Sequence, residues 1–131
     1  MIEQPLKNYI RDKLDNDMVY SINFSSLNDN VVTVYSDGGE STSNYQGVLL
    51  EPRYQIFVKS SDFEKAFNVS NAIFELLNLH DPINMIVSNS ENMHAYKVYF
   101  IQSNIPIRLG VDEDGVMTYS INVKAHLKRS N

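Results

Sequence analysis

Apolar positions along the chain recur with two different periods, and the places where the period changes outline its elements. Leu6, Tyr9, Ile10 and Leu14 fall on one face at helical spacing, and Pro5 suits a first helical position. Residues 5–15 therefore read as a short helix that ends at Asn16-Asp17. Two β-rich runs follow, Met18–Phe24 and Val31–Tyr35, with Asn28-Asp29-Asn30 as the intervening turn, and they are predicted to form a hairpin. From Asp37 to Gly47 the chain holds two adjacent glycines, several Ser, Thr and Asn residues and no larger aliphatic residue, which predicts a long exposed loop.

Strand character returns over Val48–Lys59, where Tyr54, Ile56 and Val58 alternate with Gln55, Phe57 and Lys59, and Pro52 is expected to bend the strand or mark an edge. Ser61-Asp62-Phe63-Glu64 matches a capping box, in which Ser and Glu satisfy each other's free backbone donors. The helix it opens runs from Asp62 to Leu79 and carries Phe63, Ala66, Phe67, Ile73, Phe74 and Leu77 as an apolar face, with Phe67 and Phe74 expected in the core. Asp81-Pro82 interrupts the helical pattern. His94–Gln102 then reads as a strand, Ile105–Gly115 as a connection, and Met117–Lys128 as a final strand. In that last strand Met117, Tyr119, Ile121, Val123, Ala125 and Leu127 face the core, and Thr118, Ser120, Asn122, Lys124, His126 and Lys128 face water. The order of elements predicts the α+β class.

Composition narrows the function. A chain of 131 residues without an internal repeat or linker fits one domain, spanning residues 1–131. It has no cysteine, so disulfides, thiolate metal sites and a cysteine nucleophile are excluded. No stretch approaches the ~20 apolar residues of a membrane helix, and the N-terminus lacks a signal core, which predicts a cytosol-like setting without membrane contact. The net charge of −5 argues against general affinity for nucleic acid.

Each candidate for chemistry has a simpler reading. Gly38-Gly39 lacks the Lys and Ser/Thr of a phosphate-binding loop, and no dinucleotide-binding glycine pattern opens a helix. His80, His94 and His126 stand too far apart for close metal-ligand spacing. Asp112-Glu113-Asp114-Gly115 resembles the start of a calcium loop, but Val123 occupies the position of its closing Glu. Glu40, Glu51, Asp62, Glu64 and Glu75 are scattered, and no serine sits in a nucleophile elbow. No enzyme, cofactor or metal is expected. Tyr45, Tyr54, Tyr96, Tyr99 and Tyr119 lie in or near strands, where a ring with a polar tip serves either a core or a surface buried on assembly.

Three stretches carry a resemblance. Leu50–Ala66 contains E-x-x-Y-Q-I-F-V-K-S-x-D-x-x-x-A, a strand entering a helix through a Ser-Asp corner. Ala72–Leu79 continues that helix, and Pro106–Val123 reads P-x-x-L-G-x-D-x-x-G-x-x-x-Y-S-I-N-V. Together, from about Leu50 to the end, they resemble the tail terminator, or tail-completion, proteins of long-tailed bacteriophages, often labelled minor capsid proteins. The resemblance implies a mixed, mainly antiparallel sheet flanked by two helices. It also implies a homo-hexameric virion ring that caps the tail tube, halts its polymerisation, and presents a surface to the head-tail connector while DNA passes through unbound. The protein would be made in the bacterial host cytoplasm. On this reading Asp112, Glu113 and Asp114 face either the ring's lumen or an intersubunit seam, with Arg53 and Arg108 as the seam's cations and Tyr45 as a further interface residue. The rival readings are a tail tube or head-tail adaptor subunit, which would polymerise or join differently, and a monomeric α+β ligand-binding domain, which would need a pocket of convergent polar groups.

Overall fold

The computed structural model describes residues 2–14, 16–41, 50–78, 82–88 and 93–129. Helix α1 (Glu3–Leu14) begins two residues before the predicted start. Pro5 is tolerated because the first turn needs no donor from it, and the Leu6 N–H just beyond makes the bond to the Ile2 carbonyl at 2.8 Å. Among the described residues seven strands follow: β1 (Val19–Ile22), β2 (Val31–Ser41), β3 (Leu50–Ser60), β4 (Ile83–Ser88), β5 (Met93–Ser103), β6 (Ile107–Val111) and β7 (Met117–Arg129). Helix α2 (Phe63–Leu77) lies between β3 and β4. The sheet order is β1-β2-β3-β7-β5-β4, with β6 also pairing β7. Only β1 and β2 pair in parallel among the described strands, so this is the mixed, mainly antiparallel α+β fold that the sequence predicts.

That parallel pair corrects the predicted hairpin. Val19 stands beside Val31 and Ile22 beside Val34, so residues 23–30 travel back along β1 before β2 begins. Asn28-Asp29-Asn30 does not close a hairpin but fastens this return to the β3–α2 corner. The Asp29 carboxylate accepts from the Ser61 N–H and hydroxyl, each at 2.7 Å, and Asn30 Oδ1 accepts from the Ser60 hydroxyl at 2.7 Å. Because Ser61 is engaged there, the predicted capping box does not form. Asp62 caps α2 instead, its Oδ1 accepting from the Lys65 N–H at 3.1 Å.

Ile2, Leu6 and Ile10 of the N-terminal segment and Val69, Ile73 and Leu77 of α2 join Val32, Val34, Tyr54, Ile56, Val58, Ile121, Val123, Ala125 and Leu127 in one buried cluster. The face of α2 is rotated from the predicted one: Ala66, Val69, Ser70, Ile73 and Leu77 are buried, whereas Phe67 is 53% exposed and Phe74 only partly buried. Phe67 rests edge-on against Tyr119 at 6.3 Å between ring centroids rather than in the core. Helix α1 touches β1 at one edge of the sheet and β4 at the other, so the sheet curls around it.

The predicted loop from Asp37 is strand as far as Ser41, where β2 opposes Leu50 after a bulge between Ser36 and Gly39; the rest of that loop and the predicted strand start at Val48 lie outside the described residues. Pro52 lies in the central strand β3 rather than at an edge. It opposes Gly39 in β2, beyond the bulge, while on the other side the β3–β7 register passes from Leu50–Leu127 to Arg53–Lys124 without a pair at Glu51 or Pro52, where proline has no N–H to donate. The predicted connection Ile105–Gly115 contains β6, and β4 follows Pro82 where only an interruption is predicted.

Candidate assembly surface

Both helices pack on one face of the sheet, so alternation sends the remaining side chains of β3, β5 and β7 to the other face. Across it Lys59 opposes Thr118, Phe57 opposes Ser120, Gln55 opposes Asn122 and Arg53 opposes Lys124. One step further, Lys97 of β5 stands directly opposite Lys128 of β7, and Lys97 Nζ lies 5.5 Å from the Tyr99 ring centroid. Glu51 sits within this group, its carboxylate 3.0 Å from His126 Nδ1 and 3.5 Å from Lys124 Nζ. Arg53, Lys97 and Lys128 are exposed at this end of the outer face; Asp37 lines one cleft with Arg53 and Lys124, and the Lys97–Lys128 pair is the most cationic part of the face.

The opposite end of β7 has a different character. There β6 and β7 form a hairpin with a bulge between Arg108 and Gly110. Ile107, Leu109 and Val111 are 45%, 56% and 44% exposed on it. Leu109 and Val111 help enclose an outer-face cavity of ≈ 370 Å³ with Tyr35, Phe57, Lys59 and Thr118, where Tyr35 and Phe57 meet edge-on at 5.4 Å.

The acidic turn caps this hairpin. Asp112 Oδ1 accepts from the Asp114 N–H at 2.9 Å and the Val116 N–H at 3.0 Å, and its Oδ2 accepts from Asn28 Nδ2 at 3.2 Å. Gly115, at φ 79°, supplies the left-handed turn residue. The Val116 N–H, followed by the Asn28 amide, holds the Asp112 carboxyl below its ordinary 3.8. Asp112 thus organises the turn, while Glu113 and Asp114 are exposed at its tip.

Of the other expected interface residues, Arg108 shares the hairpin, opposite Tyr119. Arg53 does not approach the turn within one copy: it pairs with Lys124, six positions along β7 from Thr118, or roughly 20 Å at strand rise. Lys59 is the cation whose field reaches Asp112. Tyr45 lies outside the described residues. Sequence reasoning missed the Lys97–Lys128 pair and the apolar β6. The alternation of the final strand already placed Lys124 and Lys128 on the wet face, but the register that brings Lys97 across to them is a tertiary fact.

Among the described residues no group of three or more His, Asp and Glu side chains could hold a metal ion, and no helix is long and apolar enough to cross a membrane. No curated protein matches the chain. The family model described as bacteriophage tail terminator protein matches residues 9–129, including both ends of β7 and the hairpin. The chain belongs to the bacteriophage tail terminator family, a structural component of the virion tail.

Proposed function

We propose that six copies of this chain form a ring that caps the phage tail tube, stops its polymerisation and offers the joining surface for the head-tail connector. The family match over residues 9–129 carries this reading. The exposed aliphatics of β6 and the cationic part of the outer face support it, because surfaces of that kind are covered when subunits assemble. The ring's partners are the tail tube protein and the connector protein, and its work is mechanical rather than catalytic. Six copies carry a formal charge of −30, six times −5, so DNA passes through the lumen without being gripped.

Solution mass and negative-stain imaging, with and without purified tail tubes, test the reading. The expected result is a closed ring of about 90 kDa, six times 15.0 kDa, seated on tube ends that no longer grow. Tubes built from this chain alone would identify a tube subunit instead, and a chain that stays monomeric in the presence of tubes would contradict both.

A further inference from the structure

The hairpin and the cationic part of the outer face lie at opposite ends of β7. From Met117 to Lys128 the strand spans roughly 35 Å, well beyond the ~8–10 Å over which exposed charges sense each other in physiological salt. Glu113 and Asp114 at one end therefore cannot neutralise Lys97, Lys124 and Lys128 at the other within a single copy. Lys97 opposes Lys128 directly, an arrangement that weakens a strand pair on its own. Glu51 is already shared between Lys124 and His126. Asp37 lines the same cleft as Arg53 and Lys124, and Glu40 stands opposite Glu51 on β2, so the positive charge that no ion pair offsets among the described residues is that of Lys97 and Lys128.

The hairpin has a complementary need. Among the described strands β6 pairs only with β7, and Ile107, Leu109 and Val111 leave apolar surface beside an acidic tip. An apolar edge strand of this kind invites a covering partner.

We propose that the outer sheet face around Lys97, Lys124 and Lys128 receives the β6–β7 hairpin of a second copy of this chain. Glu113 and Asp114 of the incoming hairpin meet the lysines, and the β6 aliphatics are covered in the same contact. The occupant is argued from charge complementarity: the chain carries both signs on two different patches, and its net charge of −5 disfavours nucleic acid as a general ligand. Because the two patches differ, the contact is head-to-tail, the type that closes into a ring when the rotation between copies permits. The inference rests on the ring reading above and assigns the surfaces that would build it.

The experiment compares four full-length chains: the unaltered protein, Lys97→Glu with Lys128→Glu, Glu113→Lys with Asp114→Lys, and the chain carrying all four changes. Sedimentation measures association against concentration at low and high salt. Each double reversal is expected to raise the dissociation constant at least about tenfold, and the fourfold chain to regain association because its patches are again opposite in sign. Melting curves check that each variant is folded. Should a reversal unfold the chain, Lys97→Gln with Lys128→Gln and Glu113→Gln with Asp114→Asn replace it, each weakening association.

Association that is indifferent to both reversals, or a fourfold chain as weak as its parents, overturns this inference while leaving the ring reading intact. An unaltered chain that stays monomeric alone and on tail tubes overturns both. Short duplex DNA provides the remaining arm. If the unaltered protein binds it, loses it on Lys97→Glu with Lys128→Glu, and assembles normally with those changes, the face belongs to DNA and the proposal fails.

Discussion

Asp112 does more for the hairpin than for the charge of the molecule. Its carboxylate gathers two backbone donors of its own turn and the amide of Asn28, 84 positions away, so one side chain links the hairpin to the return between β1 and β2. These donors favour the ionised form, and the Val116 N–H leads in holding the group below 3.8. A depressed folded value means the contribution to stability is complete above 3.8 and is lost as pH falls through the folded value. Asp29 behaves in the same direction, through the Ser61 hydroxyl first and the Ser61 N–H second. Asp112→Asn keeps an acceptor oxygen but takes up no proton, so its stability should fall less steeply in acid than that of the unaltered chain. Asp112→Ala should loosen the turn at every pH. Denaturant midpoints across the acid range check both, and equal acid slopes for the unaltered and Asn chains would show that this carboxylate does not report on folding.

At the scale of elements, legibility depended on whether the period survived. The final strand was readable because Met117–Leu127 alternates without a break, and α2 was readable because its apolar spacing runs over four turns. Strand β6 was hidden: Pro106 and Gly110 signal turns, and the bulge at Arg108–Gly110 disturbs the alternation of Ile107, Leu109 and Val111. The bulge between Val98 and Phe100 similarly puts Val98 and Ile101 on the same buried side although they are three positions apart. The α2 cap is ambiguous in sequence because Ser61 and Asp62 are both good capping residues, and Asp29, distant in sequence, decides which is available. The candidate surface divides the same way, with its acidic turn visible locally and its lysine pair visible only through register. Gly110 tests the importance of the bulge. It adopts φ 109° with open space where a Cβ would stand, so Gly110→Ala meets backbone strain but no clash. The expected loss is about 1–3 kcal/mol, confined to the hairpin, with faster amide exchange in β6 and unchanged exchange in β3. Unaltered exchange in β6 would mean that alanine is accommodated without disturbing the pairing.

For the whole molecule, the curl of the sheet depends on α1. This helix contacts β1 and β2 on one side and β4 on the other, although the sheet order separates β1 from β4 by every other strand on the path. The Ile2 N–H donates to the buried Tyr54 hydroxyl at 3.0 Å, anchoring the start of the helix to central strand β3, and burial leads in pushing that hydroxyl's pKa up. The edges, by contrast, have little support of their own: β1 has four residues and pairs only β2, and β4 pairs only β5 among the described strands. Their order should therefore follow the packing of α1, whereas β3 and β7, each paired on both sides, should be the last to open. Ile10 is the place to separate these behaviours, because it is fully buried in the shared core. Ile10→Ala removes buried methyl and methylene groups and leaves a cavity, for an expected cost of about 2–5 kcal/mol. If α1 holds the curl closed, native-state hydrogen exchange should quicken in β1 and β4 together while β3 and β7 still exchange only through global unfolding. Faster exchange at one edge alone would show that the two edges are held independently, and α1 would then be a cover for one side of the sheet.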